Sequence, residues 1–503
     1  MPAASPKPRR SVFLLATSAL ALALAACTPT PVSGGSGGAS SGGTTGSGGV
    51  GSGGATGSGG VTATGGTSAT GGATATGGVA ATGGTKGSGG VTASGGATAT
   101  GGATGSGGAA GASSGGAGGG AGGGGGATSA IVIPRGGRCT APATANVADV
   151  QTAWARWKKD LVTSDGAGTN GLRVLRPNSS GAIMNSSNSE GSAYAMLISV
   201  YLNDQDSFDK FWNYTQGFLD SNGLMNWYIG PDRSVQGTGG ATDADEDMAF
   251  ALLMASKKWG GKGSLSKNYI DLATAQINAI WNHEIDHSMG DVPTPGDQGG
   301  GGGSVINISY FAPAYYRAFG RVVTSQNWSN TVTTVYKIIN ATLNAANKNQ
   351  TNGLVPAWST PAGVPMGRPG TSDPTYDQLD SCRTPFRLGQ DYCWNNEMMA
   401  ADYLRKISGF YQMKGAYNIL DGYNLDGTDH PQYASVGNQA ASFVGPAGVG
   451  AMSSTDFAML RDQAYADVAT DMLFAGSTYY QESWTVLSLI MMTGMMDDLS
   501  LAQ

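Results

Sequence analysis

The residues that could do chemistry are carboxylates set where polar loops turn into apolar runs. In NSSNSEGSAYAMLISVY, residues 185–201, Glu190 stands at such a boundary and Ser189 is a suitable N-cap. A second group, Asp243, Asp245, Glu246 and Asp247, opens the apolar run of ATDADEDMAFALLMASKKWG, residues 241–260. Acids in first helical turns commonly do no more than complement the positive end of the helix dipole. Their other uses are proton transfer and cation binding. The Asp-x-Asp-x-Asp pattern at 243–247 suggests calcium, but the positions that an EF-hand loop fills with Gly (sixth) and Glu (twelfth) are both methionine here. A fourth chemistry is written in WNHEIDH, residues 281–287, which contains His-Glu-x-x-His, the pattern by which two imidazoles one helical turn apart share zinc. Against it, Asp286 puts a charge on what would be a buried active-site helix. The following SMGDVPTPGD stops that helix at once, and no third ligand follows at metzincin spacing.

The elements that must position these residues lie in the last three quarters of the chain. Residues 1–26 read as a secretory signal, with Lys7, Arg9 and Arg10 before a short apolar run and small residues at its end. Leu24-Ala25-Ala26-Cys27 resembles a bacterial lipobox, which makes Cys27 the expected lipidation site and, with Thr28 after it, sends the protein to the outer membrane of a Gram-negative cell. Residues 27–130 are almost entirely Gly, Ser, Thr and Ala in a rough hexad. They offer no large apolar side chains to offset the entropy of ordering the backbone. The expectation is a flexible tether with an r.m.s. span of roughly 50–60 Å. Residues 131–503 hold all 10 tryptophans and are expected to form one catalytic-sized domain. The net charge of −6 and the scarcity of basic clusters argue against nucleic acid.

Within that domain, apolar runs of helical length recur at 147–161, 191–202, 207–219, 245–258, 270–283, 311–319, 329–346, 387–411, 455–472 and 480–496, separated by Gly-, Asn-, Asp- and Pro-rich loops. The pattern predicts an all-α domain of ten to twelve helices; closure into a ring does not follow from periodicity. With Cys27 lipidated, Cys139, Cys382 and Cys393 remain, so one intramolecular disulfide at most can form. A largely helical stretch between Cys382 and Cys393 would hold them roughly 13 Å apart, beyond disulfide reach. A bond from Cys139 to either stays open.

Four segments, in order, resemble glycoside hydrolase family 8. They are NSEGSAYAMLISVYLNDQDSFDKFWNY, ATDADEDMAFALLMASKKW, SYFAPAYYRAFG and DSCRTPFRLGQDYCW, with the loops NGLMNW and NGLVPAW agreeing in character. The resemblance covers residues 145–500. It implies an (α/α)6 barrel that hydrolyses β-1,4-linked glucan, xylan or chitosan with inversion. Matched position by position, Glu190 would be the general acid, Asp380 the base that activates water, and Asp243 the residue that holds the central sugar. Such a mechanism needs two carboxyls about 6.5–9.5 Å apart, with a water between base and anomeric carbon. Asp377 competes with Asp380, because relatives often carry Tyr before the Asp, as in Tyr376-Asp377; the spacing to Arg383-Thr384-Pro385 favours Asp380. Trp227 and Tyr310 are the expected sugar platforms, on condition that they are exposed, and Arg383 is an expected substrate-binding residue. Gln298 and the glycine run after Asp297 replace an aromatic that relatives carry, so one stacking subsite is expected to be missing.

These residues lead to the expectation of an endo-β-1,4-glucanase, monomeric, anchored to the membrane only by lipid. A xylanase or chitosanase of the same family is the alternative. No metal or organic cofactor is implied, since carboxylates suffice for the proton transfers. Two readings from other classes stay open at this point: a non-catalytic polysaccharide-binding lipoprotein and a His-Glu-x-x-His zinc protease.

Overall fold

The computed structural model describes residues 139–177, 182–298, 302–367, 376–431, 441–470 and 479–501. The expected signal, Cys27 and the tether lie outside the described residues, as do residues 299–301 of the glycine run.

Twelve α-helices are formed among the described residues: α1 (Val147–Leu161), α2 (Ser189–Tyr201), α3 (Gln205–Thr215), α4 (Thr242–Lys258), α5 (Tyr269–His283), α6 (Pro313–Val322), α7 (Trp328–Thr342), α8 (Arg383–Asn395), α9 (Met398–Lys414), α10 (Ala441–Ala451), α11 (Ala458–Val468) and α12 (Tyr479–Met492). They alternate in character along the chain. Every residue of α2 and α10 is buried, as is every residue of α12 except Gln481, α4 from Thr242 to Ala255 and α8 from Arg383 to Trp394. By contrast α1, α3, α5, α7 and α9 bury one face each. Among the even-numbered helices, α2 packs on α4, α4 on α6, α6 on α8, α8 on α10, α10 on α12 and α12 on α2. Each odd-numbered helix leans on an even-numbered one: α3 on α2, α5 on α4, α7 on α6, α9 on α8, α11 on α10 and α1 on α12. A helix buried all round belongs in an interior and one with a single buried face outside it, which fits α2, α10 and α12; α4 and α8 are buried with their charged residues paired, and α6 joins the inner circuit with one face only buried. None of the described helices is long and apolar enough to cross a membrane.

Short antiparallel pairings trim the loops. These are β1 (Val162–Thr163) with β2 (Arg173–Val174), β3 (Ser187–Asn188) with β4 (Tyr228–Ile229), and β4 with β5 (Val235–Gly237). Further along come β6 (Ile285–Asp286) with β7 (Val292–Pro293), and β8 (Ile306–Asn307) with β9 (Trp358–Ser359). β3 runs directly into α2 and β8 into the turn before α6, so these pairings fix where those helices begin.

Two sequence expectations need correction. The run 387–411 is two helices, because Asn396 adopts φ 57° and breaks it between α8 and α9. The helix α10 was not expected, since ASFVGPAGVGA reads as loop. Its glycines serve close approach instead: a Cβ on Gly445 would lie 2.4 Å from Ser488 Oγ, and one on Gly448 would lie 2.9 Å from Ala464 Cβ. Cys139 and Cys393 form a disulfide with Cα atoms 5.3 Å apart, and Cys382 is a buried free thiol.

Candidate active site

The helix start that carries Glu190 is capped by Asn188, one residue earlier than expected; Asn188 Oδ1 accepts the Gly191 N–H at 3.0 Å. Asn188 has a second task. Its Nδ2 donates to the Tyr479 hydroxyl at 2.9 Å, and that hydroxyl donates to Glu190 Oε2 at 2.5 Å. The cap of α2 and the first residue of α12 therefore orient one oxygen of Glu190 together.

The other oxygen meets a guanidinium. Arg383 Nη1 lies 2.5 Å from Glu190 Oε1 and 2.6 Å from Asp243 Oδ2, and its Nη2 lies 3.5 Å from Asp380 Oδ1. Carboxylates from positions 190, 243 and 380 thus converge on a single cation, although they belong to α2, to α4 and to the 3-10 turn Leu379–Cys382 that leads into α8. Asp380 is held further by Asn307, whose Nδ2 donates to its Oδ2 at 3.0 Å. Asn307 cannot turn freely, because its Oδ1 accepts from Ser309 N at 3.0 Å and Ser309 Oγ at 2.7 Å. Ser309 Oγ in turn accepts from Arg383 Nε at 3.1 Å. The hydrogen bonds run Arg383 to Ser309 to Asn307 to Asp380, and Arg383 closes the circuit.

One guanidinium among three carboxyls leaves an excess of negative charge in a buried place, which favours holding a proton. The Asp243 carboxyl is pushed up to about 8, first by burial and then by the Glu190 charge, with Arg383 opposing. Burial is near complete: Glu190 and Asp243 are each 4% exposed and Asp380 is 7%.

The acids that follow Asp243 diverge as the helix turns. Asp245 Oδ1 accepts the Met225 N–H at 3.2 Å, and Glu246 Oε1 accepts from the Tyr316 hydroxyl at 2.7 Å. Asp247 takes Arg387 in a two-point pair at 2.6 and 2.9 Å. They do not face a common point, so the calcium pattern read at 243–247 is a set of separate tethers.

Asp377 is apart from the cluster. Its carboxylate accepts the Val355 N–H at 3.3 Å and its backbone pairs with Tyr423. The two expected sugar platforms differ. Tyr310 has the Arg383 guanidinium 5.0 Å from its ring centroid, which places it beside the carboxylates. Neither meets the exposure condition: Tyr310 is 5% exposed and Trp227 2%, and Trp227 is further covered by Tyr228, which stacks on it at 5.1 Å, and by Gly237, where a Cβ would lie 2.3 Å from its Nε1. Asn307, Ser309 and Tyr479 were missed by sequence reasoning. Asn307 could have been found from its place two residues before the SYFAP segment; Tyr479 carried no signal beyond opening an apolar run.

The His-Glu-x-x-His geometry is not formed. α5 ends at His283, and His287 lies in a 3-10 turn beyond β6. The His287 ring nitrogens face Asp291 Oδ1 at 2.7 Å and the Trp281 carbonyl at 2.9 Å. Glu284 is buried, and burial lifts its carboxyl well above the usual range.

Comparison with known proteins agrees with the motifs. The model of the glycosyl hydrolases family 8 matches residues 136–494. Endoglucanase A of Acetivibrio thermocellus is 34% identical over 351 residues, covering 69% of this chain and 69% of that protein. Endoglucanase 2 of Ruminiclostridium josui is 36% identical over 349 residues, covering 69% and 71%. Among solved structures, the apo β-1,3-1,4-glucanase from Paenibacillus sp. X4 superposes with a TM-score of 0.64 at 26% identity, covering 72% of this chain and 98% of that one.

Proposed function

The chain belongs to glycosyl hydrolase family 8 and is a glycoside hydrolase of the endoglucanase kind, and from that premise we propose that it cuts β-1,4-linked glucan with inversion, using Glu190 as acid and Asp380 as base. The observation that carries this reading is the convergence of Glu190, Asp243 and Asp380 on Arg383. Glu190 gives its proton to the leaving glycosidic oxygen. Asp380, its carboxylate aimed by Asn307 and Arg383, draws a proton from a water that attacks the anomeric carbon from the opposite face. Asp243, buried and inclined to keep its proton, hydrogen-bonds the central sugar. Asp380 serves as base in preference to Asp377, because Asp380 touches Arg383 and Asp377 does not. The even-numbered helices form the inner ring of an (α/α)6 barrel in this reading, supported by the circuit of contacts from α2 through α12 and back. β-Glucan is favoured over xylan or chitosan by the endoglucanase and β-glucanase relatives.

The same reading includes secretion as a lipoprotein: a signal over residues 1–26, lipidation of Cys27, and a Gly/Ser/Thr-rich tether over 27–130 that carries the catalytic domain, 131–503, clear of the outer membrane. The Cys139–Cys393 disulfide supports an oxidising compartment.

The test incubates the full chain, as wild type and as Glu190→Gln, with barley β-glucan, xylan and chitosan, and follows the first-formed anomer by proton NMR. The expected result is α-anomer from β-glucan with wild type and a loss of at least about a thousandfold in the variant. First-formed β-anomer would refute inversion, and unchanged Glu190→Gln activity would refute the acid.

A further inference from the structure

The base sits on a turn whose two ends are fastened to the same residue. Asp377 Oδ2 accepts the Val355 N–H at 3.3 Å, while Ser381 Oγ donates to the Val355 carbonyl at 3.0 Å. Val355 lies in the NGLVPAW loop, far from this turn in sequence. Further bonds stiffen the turn between the fastenings. Ser381 N donates to the Gln378 carbonyl at 2.6 Å, and Gln378 N donates to Ser381 Oγ at 3.4 Å. Asp377 is also locked in a two-way backbone pairing with Tyr423, at 3.1 and 2.9 Å. Asp380 lies inside this clamp, three residues after one jaw and one before the other.

We propose that Asp377 and Ser381 are positioning residues for the catalytic base, gripping both backbone groups of Val355 so that Asp380 faces the water it must activate. This rests on the assignment of Asp380 as base. Asp377 suits the task because nothing described at its site asks for a charge. It is 2% exposed, and among the described residues no cation bonds its carboxyl and Oδ1 has no hydrogen-bond partner. Burial lifts its carboxyl well above the usual range, with the Val355 bond opposing. A neutral acid accepts one N–H as an amide oxygen would. The requirement at position 377 is therefore an acceptor of the right length and not a negative charge, whereas position 380 must be a carboxylate. A misplacement of the base by a fraction of an ångström to an ångström lowers the chemical step while leaving the sugar contacts of other subsites alone.

The experiment compares full-length Asp377→Asn, Asp377→Ala, Ser381→Ala and Asp380→Ala on barley β-glucan, with kcat and KM measured separately, the acid limb of the kcat/KM profile recorded, and azide added as an external nucleophile. Azide attacks the anomeric carbon as the glycosidic C–O bond breaks and Glu190 protonates the leaving oxygen, giving an α-glycosyl azide. The expected results are a fall in kcat of about ten- to a hundredfold for Asp377→Ala and Ser381→Ala with KM within about twofold of wild type, a displaced acid limb, and recovery in Asp377→Asn. Azide should rescue Asp380→Ala and not Asp377→Ala. Unchanged kcat in Asp377→Ala, or in Ser381→Ala should the former fail to fold, overturns the clamp while leaving the base assignment intact. Inactive Asp377→Asn together with azide rescue of Asp377→Ala overturns the clamp and the base assignment together.

Discussion

At the scale of single residues, the site is a problem in sharing one cation among acids. Arg383 is fully buried and spans Glu190, Asp243 and, at greater distance, Asp380. Asp243 carries the pH consequence. Its carboxyl is raised to about 8 by burial, so between the unfolded value near 4 and that folded value the native state binds a proton that the unfolded chain releases. Stability from this group is complete below about pH 4 and declines as pH rises toward 8. Burial moves Asp245, Glu246, Glu284 and Asp377 in the same direction. The melting temperature is therefore expected to fall from about pH 5 to pH 8, and Asp243→Asn, scanned by calorimetry across that range, to flatten part of the slope. A melting temperature that climbs through this window in wild type would contradict the buried, protonated state. Glu190, Asp243, Asp380 and Arg383 drew attention in the sequence because each sits in a motif resembling family 8, and the fold brings the four side chains together. Sequence reading did not locate Asn307 or Tyr479, whose roles depend on which distant carboxylate the fold brings opposite them. It also could not tell that Trp227 would be covered, since an exposed and a covered indole are the same letter.

At the scale of elements, α4 and α8 are joined by two rungs. Asp243 and Asp247 are one helical turn apart on α4, Arg383 and Arg387 one turn apart on α8, and the partners meet in register. The lower rung, Asp247–Arg387, is buried on both sides and has two-point geometry. Breaking it from one side strands a charge. Arg387→Met is expected to cost about 3–5 kcal/mol by urea unfolding, and pairing it with Asp247→Leu to recover most of that loss. If the double variant is no more stable than Arg387→Met, the two residues are not coupled as described. Helix positions were largely legible: α1 matches its apolar run at both ends, and α2, α4, α5, α7 and α12 overlap theirs. The failures have physical causes. The apolar period passes through Asn396 undisturbed, so the left-handed break between α8 and α9 is invisible to it. In α10, glycines chosen for contact with Ala464 and Ser488 look in the sequence like a loop.

At the scale of the whole molecule, the order of helices was readable and their mutual arrangement was not. Nothing in periodicity says that α12 returns to α2; which buried faces meet appears only when all the helices are placed. The longest covalent link in the described domain is also unreadable from spacing, since Cys139 could have met either remaining cysteine. Its sequence separation of 254 spans α1 to α8. Cys393→Ala in an oxidising buffer is expected to lose about 2–5 kcal/mol, read as a lower melting temperature that reducing agent produces in wild type but not in the variant. An unchanged wild-type melting temperature on reduction would show that the link adds nothing to stability. The position of that link has a mechanical consequence. Any pull on the chain from the side preceding residue 139 reaches a covalent junction before it reaches α1, so α1 is not peeled away first. The load passes into the C-terminal end of α8, about 15 Å along the helix axis from Arg383. Tension on that side is thus borne by the same rod that presents Arg383 to Glu190 and Asp243.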